Sequence, residues 1–324
     1  AVDATGGLVL EAGANLVQSA GSTITAGGDI RMAADATNGT LTLAAVTATD
    51  AQLVLSAGGA VLGYANPTAD EITADGLLLD DVASLGSPTQ RIRTNIGTLA
   101  GTVDGGTVAL DNQSALTLGS VSGTTVDPAG TGDLGASLPT ATATSDRLVV
   151  GGSSGDGVFA TVAGTLTVEA ASASASTLAV NDALPALFQS TGNQTWNGWF
   201  ALAGGDLTLR TDGSLSLDGT TTSTTSGGHA SLEVGTAFSL DPATSVDLGT
   251  GDLVLRAGTD ATVGGHLTTT GRLAVIAGDA ILAGPTSSSA RLTASDLLLE
   301  AGEGVGSASS ALVTAASAGL AVSA

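Results

Sequence analysis

The sequence predicts an all-β fold in which short parallel strands stack as a solenoid of ~20–24-residue coils. One phrase recurs along the chain: a turn rich in Gly, Asp or Asn, then aliphatic residues separated by a small polar residue. The first aliphatic residues of these phrases are Leu8, Ile30, Leu53 and Leu77 near the N-terminus, and Leu253, Leu273, Leu297 and Leu320 near the C-terminus. A unit of this length can bury its aliphatic row only against the next unit, so the period indicates the coils of a parallel β-helix.

A longer internal repeat supports this fold. Residues 53–94 align without a gap onto residues 273–314. The aliphatic positions are kept between the copies, and they pair as Leu53/Leu273, Val61/Ile281, Ile72/Leu292, Leu77/Leu297, Leu85/Val305 and Ile92/Leu312. Polar residues change, as where Tyr64 aligns with Gly284. A core that is kept while the polar residues vary is typical of a scaffold.

Composition constrains the interior of the predicted solenoid. Of the 324 residues 43% are hydrophobic but only 2% are aromatic, so Leu, Val, Ile and Ala must fill the core. A narrow lumen suits these side chains and has little space for rings. The 47 glycines, together with Thr and Ser, interrupt every apolar run, and alternation such as L-T-L favours strands over helices.

Charge and missing residue types exclude several functions. The chain has no Cys and no Lys, so disulfides, thiolate metal sites and lysine Schiff bases are impossible. Its net charge of −22 opposes binding to nucleic acid or anionic lipid, and a charged partner should be cationic or bridged by a metal. No apolar stretch of about 18 residues occurs, so no membrane span is predicted.

Three regions can be distinguished along the chain. Residues 1–121 and 161–324 are predicted to be regular β-helix coils. Residues 122–160 have the weakest strand pattern, with Pro128, Pro139 and many Gly, Thr and Ser residues, and they predict an irregular or looped-out segment within one continuous solenoid. The chain as a whole is expected to be part of a longer repetitive array.

Metal chemistry has little support in the sequence. His229 and His266 lie in Gly-containing turns without a second ligand at metal-binding spacing. Aspartates in Gly-rich turns could offer oxygen ligands to calcium, and these are Asp29, Asp206, Asp212, Asp252 and Asp279. Asp is also an ordinary turn residue, and the nonapeptide calcium repeat is absent. No cofactor is therefore predicted, and calcium stays open as an alternative.

Catalytic chemistry would need clustered carboxylates, since polysaccharide lyases and glycoside hydrolases are built on parallel β-helices. The candidates are Asp70-Glu71, Asp80-Asp81 and the pair Glu300/Glu303. Adjacent residues of a strand face opposite sides, so Asp80 and Asp81 cannot both point into one cleft unless a bulge intervenes. The prediction is that the chain is not an enzyme. A cleft lined by three or more carboxylates and an Arg would favour the enzyme.

The aromatic residues cluster in one place. Phe188, Trp196, Trp199 and Phe200 lie close together in the sequence and include both tryptophans. One interpretation is an aromatic plug in a widened lumen. The other is a patch for sugar stacking or partner binding, with Trp196, Trp199 and Phe200 as the candidate ligand-binding residues.

The coil phrases carry a resemblance to a known class. AGGDIRM, GGDLTLRTDGSLSL and GDLVLRAGTDATV, together with the duplicated cassette GLLLDDVASLGSPTQRIRTNIGTLAG, look like the degenerate repeats of filamentous-haemagglutinin-type adhesins and autotransporter passenger regions. This resemblance implies a right-handed parallel β-helix at a bacterial surface, secreted and extracellular, acting as stalk, filament or adhesin. The alternative function is a β-helix polysaccharide lyase or glycoside hydrolase.

The expected partners follow from the same interpretation. They are other protein subunits, or the same chain continuing end to end, because the ends of a solenoid expose unpaired strand edges. Glycans of a host, a neighbouring cell or a surface are further candidate partners. Nucleic acid is not expected.

Overall fold

A computed structural model describes residues 1–64, 69–126, 140–152, 155–171, 176–198, 200–218, 222–224, 227–284, 291–307 and 311–324. These residues form strands and turns, and no helix occurs among them. It follows that the described part of the chain has no helix long and apolar enough to cross a membrane. The chain divides into two compact units, Ala1–Ala160 and Thr161–Ala324.

The strands are short in most coils and long where the chain crosses a corner without a break. Those of the N-terminal unit are β1 (Val2–Ala4), β2 (Leu8–Ala12), β3 (Leu16–Val17), β4 (Thr23–Ala26), β5 (Ile30–Ala34), β6 (Leu41–Thr42), β7 (Ala45–Ala48), β8 (Gln52–Leu62), β9 (Ile72–Leu85), β10 (Ile92–Asn112), β11 (Leu116–Leu118), β12 (Val121–Val126), β13 (Thr140–Ser145) and β14 (Leu148–Val150). The division between the units falls within β15 (Gly157–Val162).

The C-terminal unit contains β16 (Leu166–Val168), β17 (Leu178–Val180), β18 (Ala186–Ser190), β19 (Gln194–Trp196), β20 (Phe200–Leu202), β21 (Leu207–Thr211), β22 (Leu215–Leu217), β23 (Thr222–Thr224), β24 (Ala230–Val234), β25 (Phe238–Leu240), β26 (Ser245–Asp247), β27 (Leu253–Ala257), β28 (Ala261–Val263), β29 (His266–Thr268), β30 (Arg272–Ala277), β31 (Ala280–Ala283), β32 (Leu292–Ala301), β33 (Gly304–Val305) and β34 (Thr314–Ser323).

The N-terminal unit confirms the predicted parallel β-solenoid. β2, β5, β8 and β9 pair in parallel, with Leu8 opposite Ile30, Ile30 opposite Leu53, and Leu53 opposite Leu77. β10 continues the column with Leu99 opposite Leu77. From Ile30 to Leu99 these side chains are buried to 1% exposure or less. Burial of each leucine stabilises the fold by about 1.5–3 kcal/mol, so one aliphatic side chain per coil builds a continuous core.

The C-terminal unit repeats this construction. β21, β24, β27, β30, β32 and β34 pair in parallel, and the register is unbroken except in the β32–β34 pair, where it shifts between Ala294 and Asp296. Their inward column runs Leu207, Ala230, Leu253, Leu273, Leu297 and Leu320, and each member is the register partner of the next. The second set of spaced leucines seen in the sequence is therefore also one column, which is buried from Leu253 to Leu297 and 54% exposed at Leu320.

An antiparallel hairpin interrupts the parallel pattern of the N-terminal unit. β12 and β13 form a separate two-stranded sheet, with Val121 opposite Ser145 and Ser122 opposite Thr144. Apart from Val121 they lie within 122–160, the region that the sequence predicted to be irregular, whereas residues 127–139 lie outside the described residues. Val121 packs on Val54, Leu78 and Ala100 in a buried cluster. The hairpin thus covers the outward face of β8, β9 and β10.

Polar groups inside the N-terminal unit are satisfied by the backbone. Asn112 is fully buried, and its side-chain oxygen accepts hydrogen bonds from Ile96 N and Thr94 Oγ1, both at 2.9 Å. Its amide donates to the carbonyl oxygens of Ile96 and Ser114, both at 3.0 Å. A buried amide with donors and acceptors all paired is tolerated, whereas an unpaired one would be costly.

Candidate functional site

A polar groove of the N-terminal unit lies where β9 and β10 leave regular pairing. Between Leu55 and Ala57 on β8, β9 carries one extra residue, since Leu55 pairs with Leu79 and Ala57 pairs with Val82. The same extra residue is seen from β10, where Gly101 pairs with Leu79 and Val103 with Val82. Asp80 and Asp81 therefore form a β-bulge, a feature that re-aims side chains next to functional sites.

The backbone at the bulge has φ angles that most residues avoid. Asp81 has a φ of 61°, a left-handed conformation that few residues other than glycine adopt. Gly101, in the neighbouring coil, has a φ of 130°, and a Cβ there would overlap the carbonyl oxygen of Leu79. From the sequence, Asp80 and Asp81 could point into one cleft only if a bulge lay between them. The structure contains this bulge.

The groove, which we call the carboxylate groove, has a volume of about 690 Å³. Its floor is formed by β9 and β10, and its wall by the base of the β12–β13 hairpin. It is lined by Leu78, Leu79, Asp80, Asp81, Gly101, Thr102, Ser120, Thr144, Ser145, Asp146 and Arg147. Three carboxylates and one arginine thus meet in one groove, which is the arrangement that the sequence analysis named as favouring an enzyme.

A second irregularity places a further carboxyl group beside the groove. β10 has extra residues between Val103 and Thr107 relative to β9, and Asp104 lies among them. A hydrogen bond with the carboxyl group of Asp81 raises the pKa of Asp104, and burial and the negative charge of Asp81 act in the same direction. Two carboxyl groups in such contact cannot both ionise freely.

Asp80 is held by a different partner. Arg31 Nη1 lies 3.2 Å from Asp80 Oδ2, while Arg31 Nε lies 3.3 Å from Glu11 Oε1. The Arg31 side chain is only 15% exposed, and it links β5 to both β2 and β9. Arg147 is exposed, and its carbonyl oxygen accepts hydrogen bonds from Gly101 N at 2.8 Å and from Ser145 Oγ at 2.9 Å. The guanidinium of Arg147 is therefore carried by an anchored turn.

Asp70 and Glu71, another predicted pair, serve to fix the backbone. Glu71 is 1% exposed, and its carboxylate accepts hydrogen bonds from Tyr64 N at 2.5 Å and Arg93 N at 3.0 Å. Burial raises the pKa of Glu71, and these two backbone hydrogen bonds partly oppose the rise. Asp70 Oδ1 lies 2.8 Å from Arg93 Nε. Both carboxylates are thus engaged by the next coil and do not form an open site.

The aromatic residues lie inside the C-terminal unit. Trp196 is 1% exposed and Phe200 3% exposed, and Trp196 makes edge-to-face contacts with Phe188 and Phe200 at centroid distances of 5.5 and 5.7 Å. Trp199 lies outside the described residues. Trp196 and Phe200 therefore match the aromatic-plug interpretation and present no ring face to a ligand. The interior of this unit has space for rings, contrary to the narrow lumen that composition suggested.

The turn aspartates link neighbouring coils. Asp29 Oδ1 accepts a hydrogen bond from Gln52 N at 3.0 Å, Asp206 Oδ1 from His229 N at 2.9 Å, and Asp252 Oδ1 from Arg272 N at 2.8 Å. Each carboxylate satisfies a backbone N–H of the following coil, which explains why acidic residues recur in the turns. Among the described residues no three His, Asp or Glu side chains converge as a metal site.

The second copy of the duplicated cassette lacks the bulge. There Ile276 pairs with Glu300 and Ala277 with Ala301, in unbroken register. Ala277 is the copy of Ala57, whose partner is Val82, so Val82 is the structural counterpart of Ala301 and Asp81 is the inserted residue. The carboxylate groove is therefore particular to the N-terminal unit.

No family model, curated protein or solved structure matches the chain.

Proposed function

We propose that the chain is an extracellular structural or adhesive protein of a bacterial surface, acting as stalk, filament or adhesin. The observation that carries this proposal is the in-register aliphatic column, present in both units. Both copies of the duplicated cassette contain this column: Leu53 is the register partner of Leu77 in one copy, and Leu273 is the register partner of Leu297 in the other. Solenoids of stacked repeats act through the extended surface that their core supports.

A further feature favours a scaffold. The turn carboxylates tie coil to coil and so serve the stack itself. The proposed axial partner is another protein subunit or the same chain continuing end to end, because strand edges at the end of a coil stack can pair with further strands. Glycans of a host, a neighbouring cell or a surface are the proposed ligands on the sides of the solenoid.

The location can be tested by immunogold electron microscopy with antibodies raised against this chain. On intact cells of the source organism we expect gold on the outer surface or on filaments. Antibody pre-absorbed with the purified chain is the control and should leave the surface unlabelled. Labelling that requires permeabilised cells would overturn the proposal.

The carboxylate groove favours a second candidate function, cleavage of an acidic polysaccharide. Asp104, whose pKa is raised by its hydrogen bond with Asp81, would supply a proton, and Asp81 would favour the protonated form of Asp104. Arg147 would bind the carboxylate of a uronic acid residue. Under this proposal the bulge exists to bring the carboxyl groups of the two strands together.

This second function is tested by incubating the chain with a panel of acidic and neutral polysaccharides and measuring chain length. Asp81→Asn and Asp104→Asn are nearly isosteric, and each removes one carboxyl group of the pair. Asp296→Asn, which lies in the other unit, is the matched control. Cleavage lost in the first two variants and kept in the third would favour the enzyme over the scaffold. Absence of cleavage by the parent chain would contradict the enzyme.

A further inference from the structure

A groove on the C-terminal unit crosses β21, β24 and β27 where each strand ends and its turn begins. Its volume is about 450 Å³, which is within the range of clefts that hold small ligands. The residues that matter for its chemistry are four charged ones and two glycines, namely Arg210, Asp212, Glu233, Arg256, Gly235 and Gly258. We call it the arginine groove.

The floor of the arginine groove carries no side chains, because the backbones of neighbouring coils approach closely there. A Cβ on Gly235 would overlap the carbonyl oxygen of Asp212, and a Cβ on Gly258 would overlap that of Gly235. Only glycine fits at these two places directly after β24 and β27. Asp212 holds the equivalent place directly after β21, and its side chain is exposed. The floor is therefore bare backbone with one carboxylate at its end.

One wall of the groove is a ladder of charged side chains, one from each strand. Glu233 is the register partner of Arg210 on one side and of Arg256 on the other. Arg210 Nε lies 3.7 Å from Glu233 Oε2, whereas Arg256 is exposed and makes no ion pair within the described residues. The next register partners along the ladder are the uncharged Gln189 and Ile276. Two arginines thus share one glutamate, and the ladder carries a net positive charge.

Arg256 and Asp212 offer hydrogen-bonding groups of opposite kinds to a ligand. The guanidinium of Arg256 is a planar set of N–H donors that matches a carboxylate. The carboxylate of Asp212 only accepts hydrogen bonds, and no described residue donates one to it. Hydroxyl groups are suitable donors to Asp212. A phosphate suits the groove less well, because its charge of about −1.5 to −2 at neutral pH would face the carboxylates of Glu233 and Asp212.

We propose that the arginine groove binds a carboxylated sugar at the end of a glycan, with its carboxylate on Arg256 and its hydroxyl groups on Asp212. The proposal rests on the adhesive function proposed above and names a site and a ligand class for it. The bare floor admits a sugar ring, and the rest of the glycan extends into solvent. The net charge of −22 opposes a polyanion, so the acidic sugar is a single terminal residue. Uronic acids and sialic acids share this chemistry.

Biotinylated glycans that share one linker test the proposal on the full chain. They end in glucuronic acid, sialic acid or glucose, and biolayer interferometry measures the binding of the chain to each. Glucose has a hydroxymethyl group where glucuronic acid has its carboxylate. We expect at least one acidic probe to bind more tightly than the glucose probe, and the tighter acidic probe identifies the source of the sugar. Absence of binding to both acidic probes, or equally tight binding to glucose, would overturn the proposal.

Three variants locate the site, and all three replace exposed side chains, so their circular dichroism should match the parent chain. Arg256→Gln should weaken binding of the acidic probes about tenfold or more. Arg272→Gln is the matched control and should leave binding unchanged, because Arg272 is paired with Asp252 outside the groove. Asp212→Ala should weaken binding because the sugar hydroxyls lose their acceptor, whereas attraction to charge alone would be strengthened. Unchanged binding by Arg256→Gln, or tighter binding by Asp212→Ala, would overturn the assigned site.

Competing ligands and the proposed function are tested separately. A glycan ending in a sugar phosphate and an acidic peptide are added as probes. Tighter binding of either one, lost in Arg256→Gln, would overturn the carboxylated sugar in favour of that ligand. Immunogold labelling of intact cells tests the adhesive function. Gold on the outer surface without glycan binding would overturn this site alone, whereas labelling that requires permeabilised cells would overturn the proposed function even if the acidic probes bind.

Discussion

The clearest test of the fold compares two adjacent leucines of β32. Leu297 is 2% exposed and lies in the inward column between Leu273 and Leu320, whereas Leu298 points outward and is 38% exposed. Leu297→Asp and Leu298→Asp therefore introduce the same charge one residue apart, on opposite faces of the same strand. Any difference between the variants reports the direction of the side chain.

The expected cost at Leu297 is large. Removal of a buried leucine side chain costs about 2–5 kcal/mol, and an unpaired carboxylate in the aliphatic column adds a desolvation penalty. We expect Leu297→Asp to lower the free energy of unfolding by about 4 kcal/mol or more. Leu298→Asp should change it by no more than about 0.5 kcal/mol, as for an ordinary surface substitution.

Urea denaturation followed by far-ultraviolet circular dichroism measures both variants. Because stacked coils can unfold locally, amide hydrogen exchange of β30, β32 and β34 should accompany it. Exchange in these strands should accelerate in Leu297→Asp and stay at the parent rate in Leu298→Asp. Equal destabilisation by the two variants would refute the assignment of inside and outside.

Three further predictions concern the N-terminal unit. Asn112→Asp should lower the free energy of unfolding by about 2–6 kcal/mol, because the carbonyl groups of Ile96 and Ser114 lose their hydrogen-bond donor. Asn15→Asp is the control, since it keeps the acceptor for Thr40 N, and it should leave the free energy of unfolding nearly unchanged. Urea denaturation measures both variants. Asp104→Asn should stabilise the chain at neutral pH more than at acidic pH. The pKa of Asp104 is raised in the native state, so above pH 3.8 the native state binds more protons than the unfolded state. The stability that Asp104 contributes at acidic pH is therefore lost as the pH rises through its pKa in the folded chain. A stability difference independent of pH would contradict this. Glu71→Ala should cost about 2–6 kcal/mol because two backbone N–H groups lose their acceptor, and an unchanged urea midpoint would be inconsistent with this role.

The parallel solenoid could be predicted because its main determinant is local and periodic. Each coil contributes an aliphatic residue to the same column, and the regular spacing of these residues is visible in a single sequence. Ile30, Leu53 and Leu77 align in the structure as the spacing required. The duplicated cassette gave a second, independent sign of the same register.

The candidate site could be predicted only in part: the sequence offered Asp80 and Asp81, but their convergence depends on a departure from that register. Whether Asp80 and Asp81 form a bulge is decided by how β9 pairs with β8 and β10, and the gapless alignment of the two cassettes conceals the inserted residue. Asp104 comes from an irregular stretch of β10 and meets Asp81 only after folding. Gly105 and Gly106 follow it directly, and glycines within a strand are a local sign of irregular pairing.

Other features depended on three-dimensional space that composition does not report. The aromatic content suggested a lumen too narrow for rings, but Phe188, Trp196 and Phe200 are all buried. Their coils have space for these rings, and one sequence cannot show which coils do. The antiparallel pairing of β12 and β13 lies in the region of weakest strand pattern. The alternation of apolar and polar residues there does not show whether the strands pair in parallel or antiparallel.

The most direct test of the central claim, in-register parallel stacking, uses the absence of cysteine from the chain. Thr208 and Ser231 are register partners on β21 and β24, and both are partly exposed. Neighbouring strands lie about 4.8 Å apart, within reach of a disulfide, whereas a position two residues further along is about 8 Å away. Thr208→Cys with Ser231→Cys should therefore form an intramolecular disulfide on mild oxidation, while Thr208→Cys with Glu233→Cys should not. Cross-linking of the second pair in preference to the first would contradict the register on which the fold and the proposed function both rest.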